Sequence, residues 1–132
     1  MSRRELREQI FLLLFRVEFN EPEDMPEQMR MFLEDEETAK SEADAEYITA
    51  KYGKIMDKMS EIDGQINSKA ENWDVSRMGK VELTLLRLAL YEMQYDEEVP
   101  VSVAINEAVE LAKKFGQDNA GAFVNAVLAK FA

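Results

Sequence analysis

Between Gly79 and Met93 large aliphatic side chains fall on nearly every face of a helix: Val81, Leu83, Leu85, Leu86, Leu88, Leu90 and Met93. A helix apolar all round is stable in water only at the centre of a fold, so the rest of the chain must wrap it. The surrounding periodicities are helical too. Leu6, Ile10, Leu13, Leu14 and Val17 recur at the spacing of one helix face, and so predict a first helix. Pro22 and Pro26 bracket a break, after which Met25, Met29, Phe32 and Leu33 predict a short second helix with Pro26 in its first turn. Residues 34–46 are acidic and small, and fit either a helix extension or a solvated connection. Ile48, Tyr52, Ile55, Met59, Ile62 and Ile66 alternate by four and three and predict a third, longer helix. Gly53 and Gly64 weaken it by about 1 kcal/mol each, so that it bends or ends early at Gly64.

Trp73 lies in the next polar connection, where its indole would anchor the segment to the core. The turn from Asp96 to Pro100 ends the central helix, Ser102 is a candidate N-cap for a fifth, and Gly116 suits that helix's C-terminal cap. Asp118 or Asn119 would cap a sixth, striped by Val124, Val127, Leu128 and Phe131. No segment alternates as a strand does. The expectation is an all-α protein of six helices, in a single domain over residues 1–132.

The two most ordered blocks are Leu85-Leu86-Arg87-Leu88-Ala89-Leu90-Tyr91-Glu92 and Val103-Ala104-Ile105-Asn106-Glu107-Ala108-Val109-Glu110-Leu111-Ala112-Lys113. Val99-Pro100 joins them and Phe123-Val124-Asn125 follows. This series resembles the NusB family of bacterial transcription antitermination factors, from Arg3 to the end of the chain, least so between about Asn20 and Glu71. The resemblance implies two three-helix subdomains sharing the central apolar helix. It also implies an RNA-binding protein that holds boxA-like single-stranded RNA together with NusE, a ribosomal protein. Through that complex it would act indirectly on elongating RNA polymerase, in ribosomal RNA transcription.

Elementary chemistry narrows the alternatives. With no cysteine and no histidine, the chain lacks the thiolate and imidazole ligands of zinc and the commonest general base. Neither a catalytic residue, nor a metal, nor a cofactor is expected, and no glycine-rich phosphate loop is present. NusB-like domains also precede RNA methyltransferase domains, but 132 residues leave no room for a cofactor-binding catalytic domain. The apolar run from Ile10 to Phe15 is too short for a membrane span, so a soluble, cytoplasmic protein is expected. Asn106, Glu107 and Glu110 offer too few oxygens at one point for magnesium or calcium.

The net charge of −11 opposes nucleic acid, but it is unevenly spread. Residues 17–49 hold twelve acids against Arg30 and Lys40, a local charge of −10, whereas residues 1–16 hold four arginines against Glu5 and Glu8. With a screening length of about 8 Å, a remote acidic segment need not cancel a small basic patch.

Arg4, Arg7, Phe11 and Phe15 share one face of the first helix, where guanidinium groups suit phosphates and rings suit unstacked bases. The plainer reading is that the rings pack against another helix while the arginines are solvated. For the arginines the resemblance favours RNA, since Arg3-Arg4-Glu5-Leu6-Arg7-Glu8 matches the family's arginine-rich start, although the family often has glutamine where Leu12 stands and a richer basic cluster. It adds Phe123 to the RNA surface, against the alternative of an edge-packed core ring. Lys113 and Lys114 would contact phosphates or favour the helix dipole, and Asn119 would read a base edge or cap the last helix. Glu82 stands at the position of an acid that the family sets against NusE, with Arg77 and Lys80 as a polar rim; favourable interaction with the helix N-terminus is its partner-free alternative. An acidic helical adaptor that binds only proteins is the rival for the whole chain.

Overall fold

Ser2 and Glu5 begin the first helix with a reciprocal cap: the Ser2 hydroxyl accepts from the Glu5 N–H at 3.1 Å, and Glu5 Oε1 accepts from the Ser2 N–H at 3.1 Å. Two of the helix's orphan donors are thereby satisfied, and these bonds hold the Glu5 carboxyl below its ordinary pKa. The computed structural model describes residues 1–70 and 74–132. Trp73 and its expected anchoring role lie outside the described residues. Six α-helices run in chain order as α1 (Arg3–Phe15), α2 (Met25–Leu33), α3 (Glu42–Lys69), α4 (Lys80–Tyr95), α5 (Val101–Phe115) and α6 (Ala120–Ala129). Short 3-10 turns add Arg16–Phe19, Pro22–Asp24 and Val75–Arg77, and no strand occurs among the described residues.

The chain divides into two compact units, Met1–Lys54 and Ile55–Ala132, with the division falling inside α3. In the first unit the buried groups include Ile10, Phe11, Leu13 and Leu14 of α1, Met25 and Phe32 of α2, and Ile48 and Tyr52 of α3. Pro26 stands in the first turn of α2 as the spacing predicts. Past its C-terminus, residues 35–41 form a solvated connection, and α3 begins at Glu42. Lys40 finishes α2 from outside: its Nζ donates to the Phe32 carbonyl at 3.1 Å and the Thr38 carbonyl at 2.9 Å while lying 4.4 Å from the centre of the Phe32 ring. A lysine there satisfies a terminal carbonyl and complements the helix dipole.

In the second unit α4 packs against α5 and α6, and α5 against α6. Every residue from Leu83 to Glu92 is buried, as an all-round apolar helix demands. Two charged side chains lie within that span. The Arg87 guanidinium forks onto Asp63 of α3, Nε to Oδ1 and Nη2 to Oδ2, both at 2.8 Å. Glu92 also has a polar interaction within the fold.

Three local expectations are corrected. Gly64 does not end α3, which continues to Lys69, because Ile62 and Ile66 on either side are wholly buried and outweigh the glycine's cost of about 1 kcal/mol. Ser102 is not the cap of α5: the helix starts at Val101 behind Pro100, with no side-chain cap bond. Gly116 does end α5, with its N–H donating to the Ala112 carbonyl at 2.8 Å, but its extended backbone suits any residue. Glycine is needed there for space, since a methyl group would stand 2.5 Å from the Ala120 Cβ and 2.8 Å from the Ala112 carbonyl.

Candidate nucleic-acid interface

The mixed face of α1 divides along its length. Arg3 and Arg4 are exposed, whereas Arg7 retains 8% of its accessible surface and Phe11 only 1%. Phe11 is core, as the plainer reading of that face has it. Burying such a ring is worth roughly 1.5–3 kcal/mol, as much as stacking one base upon it would return, so nothing favours withdrawing it for RNA. Arg7 has polar interactions of its own within the fold and presents little surface to a phosphate.

Phe15 is the half-covered rung of an aromatic ladder. Its ring stacks on Phe11 at 5.8 Å between centroids and meets Phe19 edge-on at 5.0 Å, with Phe19 exposed. Arg16 is engaged elsewhere, lying 5.2 Å over the Phe32 ring and donating to Gln28.

A cleft of about 740 Å³ opens in the second unit. One wall is the entry to α4, with Met78, Gly79 and Glu82; Gln117, Asp118 and Asn119 line it from the connection after α5, and Ala120 and Phe123 from α6. Asn119 holds the N-cap position of α6 without a side-chain cap bond, and it lines the cleft. Phe123 follows one turn later on the same helix face with a half-buried ring. Glu82, expected on a protein-binding face, thus lines the same cleft as two residues expected to touch RNA. No sequence spacing could reveal that convergence, because α4 and α6 are brought together only by packing.

Lys113 and Lys114 are exposed at the end of α5. Lys113 Nζ lies 3.5 Å from Glu110 and Lys114 sits 5.3 Å from the Phe115 ring, loose contacts that a polyanion could displace. Arg77 ends the 3-10 turn before α4, which the Asp74 carboxylate fixes by accepting from the Ser76 N–H at 3.0 Å. Lys80 is the first residue of α4, and both cations are exposed.

The NusB family model matches residues 4–132. The chain belongs to the NusB family. A relative from Agathobacter rectalis, named transcription antitermination protein NusB, is 48% identical over the full length of both chains. A second protein of that name, from Lachnoclostridium phytofermentans, is 47% identical over 98% of each. Among solved structures, NusB of T. maritima superposes with a TM-score of 0.88 at 34% identity, over 100% of this chain and 91% of that one. A structure of antitermination factors NusB and NusE in complex with double-stranded RNA gives 0.80 at 27% identity, over 97% and 93%. The all-α, six-helix expectation is thus met by the family's fold. No helix among the described residues is long and apolar enough to cross a membrane, and no group of acids there could hold a metal ion.

Proposed function

We propose that this chain is a non-enzymatic transcription antitermination factor of the cytoplasm that binds boxA-like single-stranded RNA together with NusE and so modifies elongating RNA polymerase, chiefly in ribosomal RNA transcription. The observation that carries this reading is the full-length likeness to proteins named for antitermination. The solved assembly of NusB and NusE with RNA supports both partners. Residues 1–132 would serve as one RNA-binding domain to which exposed Arg3 and Arg4, half-buried Phe15, Lys113, Lys114, Asn119 and Phe123 contribute, while Arg7, buried in the fold, would not. Glu82 in the first turn of α4 would face NusE, with the exposed Arg77 and Lys80 as a polar rim. Neither partner need bind tightly alone, because joining RNA and protein in one complex raises the effective concentration of each for the other.

The test is a titration of labelled single-stranded boxA-like RNA, with a duplex of the same sequence as competitor, at several salt concentrations. Arg3→Ala with Arg4→Ala should weaken binding and make the salt dependence shallower by about 0.7 for each phosphate no longer neutralised. An unchanged affinity and slope in the folded double variant would remove α1 from the RNA surface. The net charge of −11 and the burial of Arg7 favour the rival, an acidic adaptor that has lost RNA. NusE binding without detectable RNA binding would establish it.

A further inference from the structure

The most exposed large apolar side chain among the described residues is Phe19, with 60% of its surface accessible, followed by Met31 of α2 at 50%. A single exposed ring is ordinary, but this one is held in place. It closes the 3-10 turn Arg16–Phe19 and meets Phe15 edge-on, and Phe15 stacks in turn on the buried Phe11. The Asn20 amide secures the turn by donating to the Arg16 carbonyl at 2.8 Å. Arg16 ties the turn to α2, donating to the Gln28 carbonyl at 3.3 Å and its side-chain oxygen at 3.2 Å. Phe19 stands three residues past one end of that tie and Met31 three past the other, so each lies one turn from it on the first unit.

Charge decides what such a surface can take. Residues 17–37 hold nine acids against one cation, Arg30, a local charge of −8. Arg30 is itself bracketed by Glu27 and Glu34. The cations on either side are turned inward: Arg16 lies over the Phe32 ring, and Lys40 donates to the Phe32 and Thr38 carbonyls. Glu21, Glu23 and Asp24, which follow the ring in the chain, are all exposed. The dipole of α2 favours acids at Asp24 and Glu27 but fades within a turn, short of Glu21. Phosphates would be repelled here, so the ring is a poor platform for a base. A fixed ring and a pliable thioether among carboxylates suit the opposite ligand, a cationic segment whose apolar groups rest on Phe19 and Met31 while its ammonium and guanidinium groups meet the acids.

We propose that the Phe19 surface of the first unit is a docking site for a basic protein segment, rich in lysine or arginine, that sets an apolar side chain on Phe19 and its cations against Glu21, Glu23 and Asp24. This contact is additional to those with RNA and NusE and depends on neither.

The experiment measures fluorescence anisotropy of a labelled peptide, Lys-Lys-Leu-Lys-Lys-Phe-Lys-Lys, and of the same peptide with alanine for leucine and phenylalanine, titrated with the full chain at several salt concentrations. Wild type should bind the first peptide about tenfold more tightly than the second. Phe19→Ala, which leaves the charge unchanged, should erase that difference, and Phe19→Leu should keep part of it; helicity by circular dichroism checks that both fold. Glu21→Gln with Glu23→Gln should weaken binding of both peptides and flatten its salt dependence. Glu97→Gln with Glu98→Gln, an equal loss of charge from the second unit, should change neither. Equal binding of the two peptides by wild type, or an undiminished preference in folded Phe19→Ala, overturns the proposal. So does an equal effect of the two pairs of glutamines, which would reduce the binding to overall charge. If Phe19→Ala weakens binding of labelled oligouridine and leaves the peptide preference intact, the ring is a base platform and the proposal fails. Displacement of the peptide by NusE would merge this site with the NusE contact and overturn its independence.

Discussion

Removing Asp63 should destabilise the second unit far more than removing any other surface acid, because of where Arg87 lies. The two side chains keep only 10% and 23% of their accessible surface, for Arg87 and Asp63 respectively, and they meet through two parallel bonds of 2.8 Å. Breaking a buried forked pair by deleting one partner costs about 3–5 kcal/mol, since the remaining charge stays desolvated. Asp63 sits at the edge of the interface, so water can reach part of the site, which lowers the expectation for Asp63→Ala to about 2–3 kcal/mol. With a urea dependence of roughly 1–3 kcal/mol per molar, the unfolding midpoint should fall by about 0.7–3 M. The double variant Asp63→Leu, Arg87→Met replaces the pair by apolar side chains and should recover most of the loss, because neither charge then has to be desolvated. Urea titrations of the wild type, both single variants and the double variant close the cycle. A loss below about 0.5 kcal/mol for Asp63→Ala would mean that the pair behaves as an exposed one. A double variant no more stable than the singles would mean that the fork, rather than the burial of α4, keeps α3 and α4 together.

Gly116→Ala should cost about 1–3 kcal/mol by overpacking against Ala120 and the Ala112 carbonyl, seen as a lower melting temperature; an unchanged melt would refute the close approach. Arg7→Ala should lower stability by about 1–2 kcal/mol in chemical denaturation, whereas Arg4→Ala should leave stability unchanged and weaken only RNA binding. Glu5 should titrate below its ordinary 4.5, because the capping bonds favour its charged form. Its contribution to stability is therefore complete above that ordinary value and is lost as pH falls through the lowered one; Ser2→Pro, which removes the N–H that the carboxylate accepts from, should return the carboxyl resonance toward an ordinary midpoint, and a midpoint that does not move would refute the cap.

The helices were legible because their apolar periodicities follow directly from burial, and α4 most of all, since seven large aliphatic residues on every face leave no other arrangement. The reciprocal cap of Ser2 and Glu5 was also written in the chain, as serine followed three residues later by glutamate, and marks the start of α1 better than the arginines between them do. The face of α1 was harder. Leu6, Ile10, Leu13 and Leu14 define one stripe and Arg7 and Phe11 its neighbour, and periodicity says which residues share a face but not how far coverage extends around the helix. Here it extends to Arg7 and Phe11, leaving Arg3 and Arg4 as the exposed cations at the head of the helix. The cleft was beyond any local pattern. Glu82 precedes Asn119 by more than thirty residues, and each has an ordinary helix-terminal explanation in the sequence. Packing leaves the two unequal: the Asn119 side chain makes no cap bond, whereas Glu82 keeps its place in the first turn of α4, its carboxylate over the N-cap Gly79 where a helix N-terminus favours negative charge. That the two line one cleft with a half-buried ring at Phe123 follows entirely from tertiary structure, which brings the start of α4 beside the start of α6.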